Sequence, residues 1–469
     1  VSVHAGIDYG QVLTGTLAIT GGAVAVSVSG AVTYFQANVV SAIGGSANLT
    51  GVTSTISVTT TGNTNAIAAA ASAGGGAVAV NAGMALTINR TRVDTFIGQG
   101  VVINAPSAAI TVQTQYTANA IAFTFAFSGG AVAVGATLAI VINLLDSYTY
   151  IGATPVGSAV NGSTAAVKGS ILASSVKILS NVAGVTTVLG AGVAGGAVAV
   201  NGIVALGFNR AIGYAALYRA NVEAGTVTVT SSLTGDTTVI TTSLVLGGVA
   251  VGATVALAQI ASQNVALVDL TGSVVKAGTL NVNAGTSSSP YNSQAIVTVV
   301  TGTAGAIAAA LNFAIALNAS SNKATVVGTS GSLSGTNVNI YAEGNTRAYA
   351  IIANASIGGF SMNISASIAW LKSTQEASLS SGATIVLTGT LNVTSKQNST
   401  LNTYSNFLLQ ITDRLTDIVS GKFSSMAQAY IFSASAGVAV ASANVAVATA
   451  DATGKAIVKA SNLTAGGAI

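Results

Sequence analysis

The residues able to do acid-base or metal chemistry are few in this chain, and their spacing is unfavourable. His4 is the only histidine, there is no cysteine, and the eleven Asp and Glu residues are scattered. A catalytic triad or a histidine-based metal site needs partners at a fixed relation to the histidine, and none recurs near His4. The acidic residues do not form the repeated nonapeptides of calcium-binding β-rolls. The sequence therefore predicts no enzyme, no catalytic, cofactor-binding or metal site and no cofactor, with His4 as an ordinary surface-strand residue.

The glycine-rich tracts and the basic charge also lack the spacing of a ligand site. The tract GGAVAV occurs at 21–26, 75–80, 129–134 and 195–200, without the GxGxxG or GxxxxGK[ST] spacing of phosphate loops. The pI of about 9.2 rests on only 15 basic and 11 acidic residues, and no basic cluster is longer than Arg90-Thr91-Arg92. We expect turn and packing glycines, no small-molecule substrate and no nucleic acid.

The glycine tracts are one landmark of an internal repeat. A second landmark is a short apolar-polar-apolar strand such as Ile56-Ser57-Val58 or Ile110-Thr111-Val112. Units of about 54 residues indicate a supersecondary element that buries its apolar face against copies of itself. The predicted domain is a single array over 1–469, with units 3–57, 58–111, 112–177, 178–228, 229–281, 282–339, 340–392 and 393–469.

Within a unit the side chains alternate with period two, which is typical of strands. In the run 131–142, Val132, Val134 and Leu138 share one face while Ala and Gly occupy the other. We expect both faces to be covered, with the small face allowing close sheet approach. The predicted fold is all-β: an elongated β-solenoid of about eight repeats with long strands, plus one inserted amphipathic helix.

That helix is predicted over 405–421, inside the last unit. Its apolar face carries Leu408, Ile411, Leu415 and Ile418, and Gly421 can end it. Two interpretations stay open: the helix packs as a decoration on the flank of the array, or it has a functional role in which it covers an exposed end or docks on a neighbouring subunit.

The two ends of the chain are in phase with the repeat. Val1-Ser2-Val3 is a copy of the second landmark, and the last seven residues resemble the turn that precedes this landmark elsewhere. Placed end to end, two copies would form one uninterrupted array. The predicted subunit interface therefore comprises Val1, Ser2, Val3, Leu463, Thr464, Ala465, Gly466, Gly467, Ala468 and Ile469, together with Leu408, Ile411, Leu415 and Ile418 of the helix.

Charged residues recur about 13 to 21 positions beyond each glycine pair, for example Arg90, Asp146 and Arg210. They indicate either an ionic ribbon for partners or a solvated turn that keeps an edge from aggregating. The start of the chain lacks a basic-then-apolar leader and looks like a processed, exported one. The expected localisation is extracellular, at the cell surface.

Several unit features together carry a family resemblance: the GGAVAVN opening at 75–81, the run ALTIN at 85–89, and the FIG or YIG endings at 96–98 and 150–152. In these the chain resembles the strand-repeat regions of large bacterial leukotoxin-like filamentous adhesins. The resemblance implies a secreted, surface-displayed β-rich stalk or fibre, and it brings no catalytic residues.

The leading functional hypothesis is a structural subunit that self-assembles head to tail into an extracellular filament on a prokaryotic cell surface, serving adhesion, cell-cell contact or matrix building. Its partners would be copies of itself and a host or neighbouring cell surface. The alternatives are a fragment of the stalk of a giant secreted adhesin, a carbohydrate-active solenoid enzyme, for which the charge pattern offers no convincing pair of carboxylates, and a membrane-embedded β-rich protein, which the overall apolarity suggests.

Overall fold

The computed structural model of the chain describes residues 1–155, 169–286, 288–397 and 426–467. These residues form one all-β body in which fourteen strands pair in parallel within a single sheet, and they contain no helix. The predicted all-β class with unusually long strands is confirmed. The helix predicted over 405–421 lies outside the described residues and stays a prediction.

The strands are long because alternating β-branched and small residues continue through the glycine tracts without a break. Their bounds are β1 Ser2–Gly21, β2 Val24–Ile43, β3 Asn48–Thr50, β4 Thr55–Gly98, β5 Val102–Gly152, β6 Ser170–Tyr218, β7 Asn221–Ile260, β8 Gln263–Asp269, β9 Ser273–Ala284, β10 Tyr291–Gly328, β11 Gly331–Leu387, β12 Leu391–Gln397, β13 Met426–Ala436 and β14 Ala439–Ala465.

Residues about one repeat apart lie directly beside each other. The strand landmarks of the sequence form one column of register partners, in sequence order. This column runs through Val3, Val58, Val112, Ile178, Val229, Val282, Ile340 and Val393.

Each long strand folds back on itself at its glycine pair, so that its two halves face each other. In β4 we name 55–74 the first segment and 77–98 the second segment, and a short third segment follows at 102–105. Side chains link the facing segments: Thr87 Oγ1 donates to the carbonyl oxygen of Ile121 at 2.6 Å. One first, one second and one third segment make up a layer, and layers stack through the parallel pairing.

The corner between first and second segments requires glycine for a steric reason. A Cβ added at Gly76 would lie 1.9 Å from the carbonyl oxygen of Gly22, one layer earlier, and a Cβ at Gly196 would lie 1.8 Å from that of Gly130. Because no heavy atoms tolerate such distances, a side chain here would force adjacent layers apart. This glycine column comprises Gly22, Gly76, Gly130, Gly196, Gly247, Gly305, Gly358 and Gly437.

The interior differs between the two ends of a layer. In the wide half, the third segment closes against the start of the first and the end of the second, around aliphatic side chains such as Ile56, Ile97 and Ile103. In the narrow half, which extends from there to the glycine corner, the interior is mostly alanine, including Ala68 and Ala85. The layer is therefore a wedge whose core side chains shrink toward the corner.

Polar side chains complete the interior of the narrow half. Asn143 Nδ2 donates to the carbonyl oxygens of Ala118 and Val185, both at 2.9 Å, and so bridges the facing segments. Between the halves, the hydroxyls of Thr60, Thr95, Thr114 and Thr149 form a buried chain of hydrogen bonds, each 2.7 Å long. These bonds satisfy polar groups that would otherwise destabilise a dry interior.

Candidate assembly surfaces

The first candidate surface is the open edge formed by β1 and β2. Ser2 and Val3 are register partners of Ser57 and Val58, and the amino group of Val1 donates to the carbonyl oxygen of Thr55 at 2.9 Å. In the described part of the chain β1 and β2 pair only with β4, so their other side carries unpaired backbone groups.

The opposite edge is formed by β12, β13 and β14, each of which pairs only with β11 among the described residues. Leu463, Thr464 and Ala465 are register partners of Ile385, Val386 and Leu387. Beyond them, the backbone N–H groups of Gly466 and Gly467 donate to the carbonyl oxygens of Leu387 and Gly389. Most of β14 is exposed, as befits a strand with nothing stacked on its outer side.

The structure thus places the predicted interface residues of 1–3 and 463–467 on the two opposite edges. Their role in a subunit contact stays a prediction. Ala468 and Ile469, and the helix residues Leu408, Ile411, Leu415 and Ile418, lie outside the described residues.

The second candidate surface is the outer side of the narrow half. The prediction that both faces of the strand 131–142 are covered is wrong for its large face within one chain. Ala133 and Ala139 are buried against the facing segment, whereas Val132 points outward and is 37% exposed. The facing segments approach too closely for large interior side chains, so the large residues of the alternation lie outside.

This outward apolar character recurs from layer to layer. The large exposed side chains of the narrow half include Val80, Met84, Phe123, Phe127, Val198, Leu244, Ile307, Phe313, Phe360 and Trp370. Sequence reasoning recognised the alternation of large and small residues but not which side faced out. The feature that could have revealed the outward face is the unbroken run of alanines at alternate positions, because their side chains are too small to fill the space between two ordinary packed sheets.

An apolar groove of about 440 Å³ runs along the outer side of the second segments. Its floor is a column of small residues: Ala82, Ala136, Gly202 and Ala253. Met84 and Leu138 belong to the neighbouring column that forms one of its walls. Other apolar side chains lie beyond the walls, so the groove belongs to a larger apolar face.

The charged columns predicted beyond each glycine pair lie farther along the same outer side, toward the wide half. Several of their members pair with each other: Arg210 contacts Asp146 of the adjacent layer at 3.0 Å, and Arg92 contacts Asp94 at 3.4 Å. The Arg210–Asp146 pair is largely exposed and contributes little stability, whereas Asp94 is buried. The exposed members of these columns place a hydrated strip beside the apolar face.

Residues with acid-base chemistry do not converge on a reactive site. His4 is exposed, and its Nδ1 lies 3.0 Å from Thr59 Oγ1. Burial raises the pKa of Tyr116 to about 12, only partly offset by a hydrogen bond with Thr64, so this phenol is neutral and structural. No group of three or more His, Cys, Asp or Glu that could hold a metal ion occurs in 1–155, 169–286, 288–397 or 426–467.

Comparison of the chain with protein-family models, with curated proteins and with solved structures finds no match. Among the residues that the structure describes, no helix has the length and apolarity needed to cross a membrane.

Proposed function

We propose that this protein is a structural subunit, a β-solenoid of about eight layers of about 54 residues, that stacks head to tail into an extracellular filament on a prokaryotic cell surface. The filament would serve adhesion, cell-cell contact or matrix building, with a host or neighbouring cell surface as its distant partner. The observation that carries the proposal is the pair of open parallel edges, β1 with β2 and β12 to β14. Unpaired strand edges are templates for pairing with another chain.

The residues at the two open edges match each other column by column. If the β1 edge of one copy continues the register of the β12 edge of another, Val3 falls beside Val393 and extends the column of buried aliphatic residues. Likewise Gly22 falls beside Gly437 in the glycine column. The junction then repeats the contacts that already join layers inside the chain.

The symmetry of this contact favours a fibre. Two different edges meet, so the contact is heterologous and leaves one open edge of each kind after every addition. The steric demand at the glycine corner supports the fit, because Gly22 adds no Cβ toward the carbonyl oxygen that Gly437 of the next copy would present. The scarcity of charge, 26 residues of 469, is compatible with a body whose main contacts are copies of itself.

The proposal is tested by electron microscopy and sedimentation of the purified chain. We expect filaments many subunits long, whereas discrete short rods at high concentration would refute it. A natural polypeptide with an intact mass far above 45.4 kDa would instead favour the stalk of a giant adhesin, in which further layers of the same chain use these edges.

A variant of the β2 edge makes the test specific. Ala23 accepts a hydrogen bond from the N–H of Val78, and strand residues alternate in direction, so the N–H of Val26 points to the open edge. Val26→Pro removes that donor without removing a bond to β4. We expect no filaments and an unchanged circular dichroism spectrum, and shorter filaments when the variant is mixed with the natural chain. Val26→Ala, which keeps the N–H, is the matched control and should assemble.

A further inference from the structure

The apolar outer side of the second segments is large enough for a stable contact between proteins. We name it the lateral face: the outward side chains at 78, 80, 82, 84, 86 and 88 of β4 and their register partners in β5, β6, β7, β10 and β11. Eleven residues at ~3.3 Å each and six layers at ~4.8 Å each give about 1,000 Å². A specific interface needs roughly 800 Å² from each partner.

The exposed side chains of this face are those that soluble surfaces seldom gather. Phe360 is 45% exposed, Phe313 41% and Val198 39%, all on the outer side of second segments. Contiguous apolar patches of this extent mark interaction sites.

The relief of the lateral face is complementary to itself. In four of the six layers the groove floor carries small residues, and Leu311 and Ile364 continue its column in β10 and β11. The column two positions away carries large residues, with one intermediate column between them. The groove column is Ala82, Ala136, Gly202 and Ala253; the intermediate column is Met84, Leu138, Val204 and Val255; and the ridge column is Leu86, Ile140, Leu206 and Leu257.

We propose that two copies of this chain pair through their lateral faces about a two-fold axis that passes over the intermediate column. This rotation places the ridge column of each copy over the groove column of the other, so that both grooves are filled at once. An isologous contact of this kind is self-complementary and closes with two members. The two solenoid axes run parallel, and the facing strands run antiparallel.

The same rotation keeps charge at the margin of the contact. Arg92 and Asp146, which share one column, come to lie over the glycine corner of the partner copy, and Arg210, one column nearer, comes to lie over the outermost column of its lateral face. A lipid surface would be a poorer match. Acyl chains are fluid and have no fixed relief, so they do not benefit from a ridge and a groove that lie at equal distances from the intermediate column. The pairing goes beyond head-to-tail stacking and does not depend on it, because each copy presents a complete lateral face.

The experiment uses the Val26→Pro background, in which end-to-end growth is blocked, so that lateral pairing is measured by itself. Sedimentation velocity of this chain should show dimers. Three derived chains separate the explanations. The filled variant carries Ala82→Leu, Ala136→Ile, Gly202→Leu and Ala253→Leu; the trimmed variant carries Leu86→Ala, Ile140→Ala, Leu206→Ala and Leu257→Ala; and the swapped variant carries all eight changes.

We expect the filled and trimmed variants to dimerise at least tenfold more weakly, and the swapped variant to recover to within about threefold. The filled positions face outward, and a Cβ added at Gly202 meets no atom within 4 Å, so the fold should tolerate these substitutions. If the filled variant nevertheless fails to fold, the trimmed variant alone still tests whether the ridge column is needed for dimerisation. Monomers in the Val26→Pro background, or a swapped variant no better than the filled one, would overturn the proposal.

A vesicle arm identifies the competing outcome. Neutral phosphatidylcholine vesicles should leave the dimer unbound. Equal vesicle binding by the filled, trimmed and swapped variants, without dimers in solution, would show a lipid-facing surface and refute the pairing. Filaments of the Val26-containing chain together with monomers of its Val26→Pro derivative would retain the proposed function and reject only the lateral contact.

Discussion

The wide and narrow halves of each layer direct their large apolar side chains in opposite directions. The wide half surrounds Ile56 and Ile103 with strands whose outer residues include Thr111 and Gln113, as ordinary soluble proteins do. The narrow half encloses alanine and asparagine and turns its Val, Leu and Phe outward. The wide half thus buries its apolar area within one chain. The narrow half leaves an apolar surface exposed in the described part of the chain.

The largest expected effect is at the glycine corner, which closes the narrow half. Gly196→Ala would place a Cβ 1.8 Å from the carbonyl oxygen of Gly130, so layers must separate, and we expect a loss of at least about 4 kcal/mol or failure to fold. Circular dichroism and urea unfolding measure it. The matched control Gly202→Ala, with open space around the added methyl, should change stability by less than about 1 kcal/mol. Equal effects at both sites would contradict the steric account.

Side-chain size should have opposite effects in the two halves. Ile178 is fully buried in the wide half, and Ile178→Ala should cost about 2–5 kcal/mol through the cavity that it leaves. In the narrow half the enlargement Ala122→Leu should cost about 1–3 kcal/mol, because the facing segment leaves no room. Denaturant unfolding of both variants gives the comparison, and a harmless Ala122→Leu would show that the narrow interior is looser than described.

The loss of stability on removing a polar side chain should also differ between the inside and the outside of the narrow half. Asn143→Ala removes two buried hydrogen bonds and should cost about 1–3 kcal/mol. Asn119 lies on the outer side and donates to Asn65 Oδ1 at 2.7 Å, so Asn119→Ala should cost less than about 0.5 kcal/mol. Thermal unfolding of the two variants distinguishes them, and similar losses would remove the distinction between bridging and surface asparagines.

The last expected effect is a dependence of stability on pH at Asp236, on the outer side of a first segment. Burial raises the pKa of this carboxyl from 3.8 to about 6, although Gln294 and Arg347 oppose the shift. Because the folded chain then binds the proton more tightly than the unfolded chain, this contribution to stability is complete below about pH 4 and is lost as the pH rises through about 6. Urea unfolding between pH 4 and 7 should show this decline in the natural chain and a flatter profile in Asp236→Asn. Parallel profiles would contradict it.

Strand class and register could be predicted because they depend on spacing. The landmark residues Val58, Val112 and Ile178 recur at repeat distance, and the structure makes them direct neighbours. Parallel stacking needs only that equivalent residues meet, which the repeat ensures. The open edges at 1–3 and 463–467 followed from the same phase argument.

The direction of each face could not be predicted from alternation alone. Val112 points into the body and Val132 points out, although both stand in period-two patterns of similar composition. The distance between the facing segments determines which face points inward, and this distance depends on the whole wedge and on the glycine contacts between layers. The apolar lateral face was therefore missed, while the charged columns beside it were recognised from their shared phase.

The glycine corner also determines where the polypeptide tolerates extra sequence. At that corner the backbone of one layer lies against the next, so no inserted residue fits. At the far side of the wedge, in contrast, the chain already carries connections of unequal length: residues 219–220 join β6 to β7, whereas 44–47 join β2 to β3. In the proposed filament, a foreign epitope or tag grafted into the longer connection would be displayed once per subunit, at regular intervals.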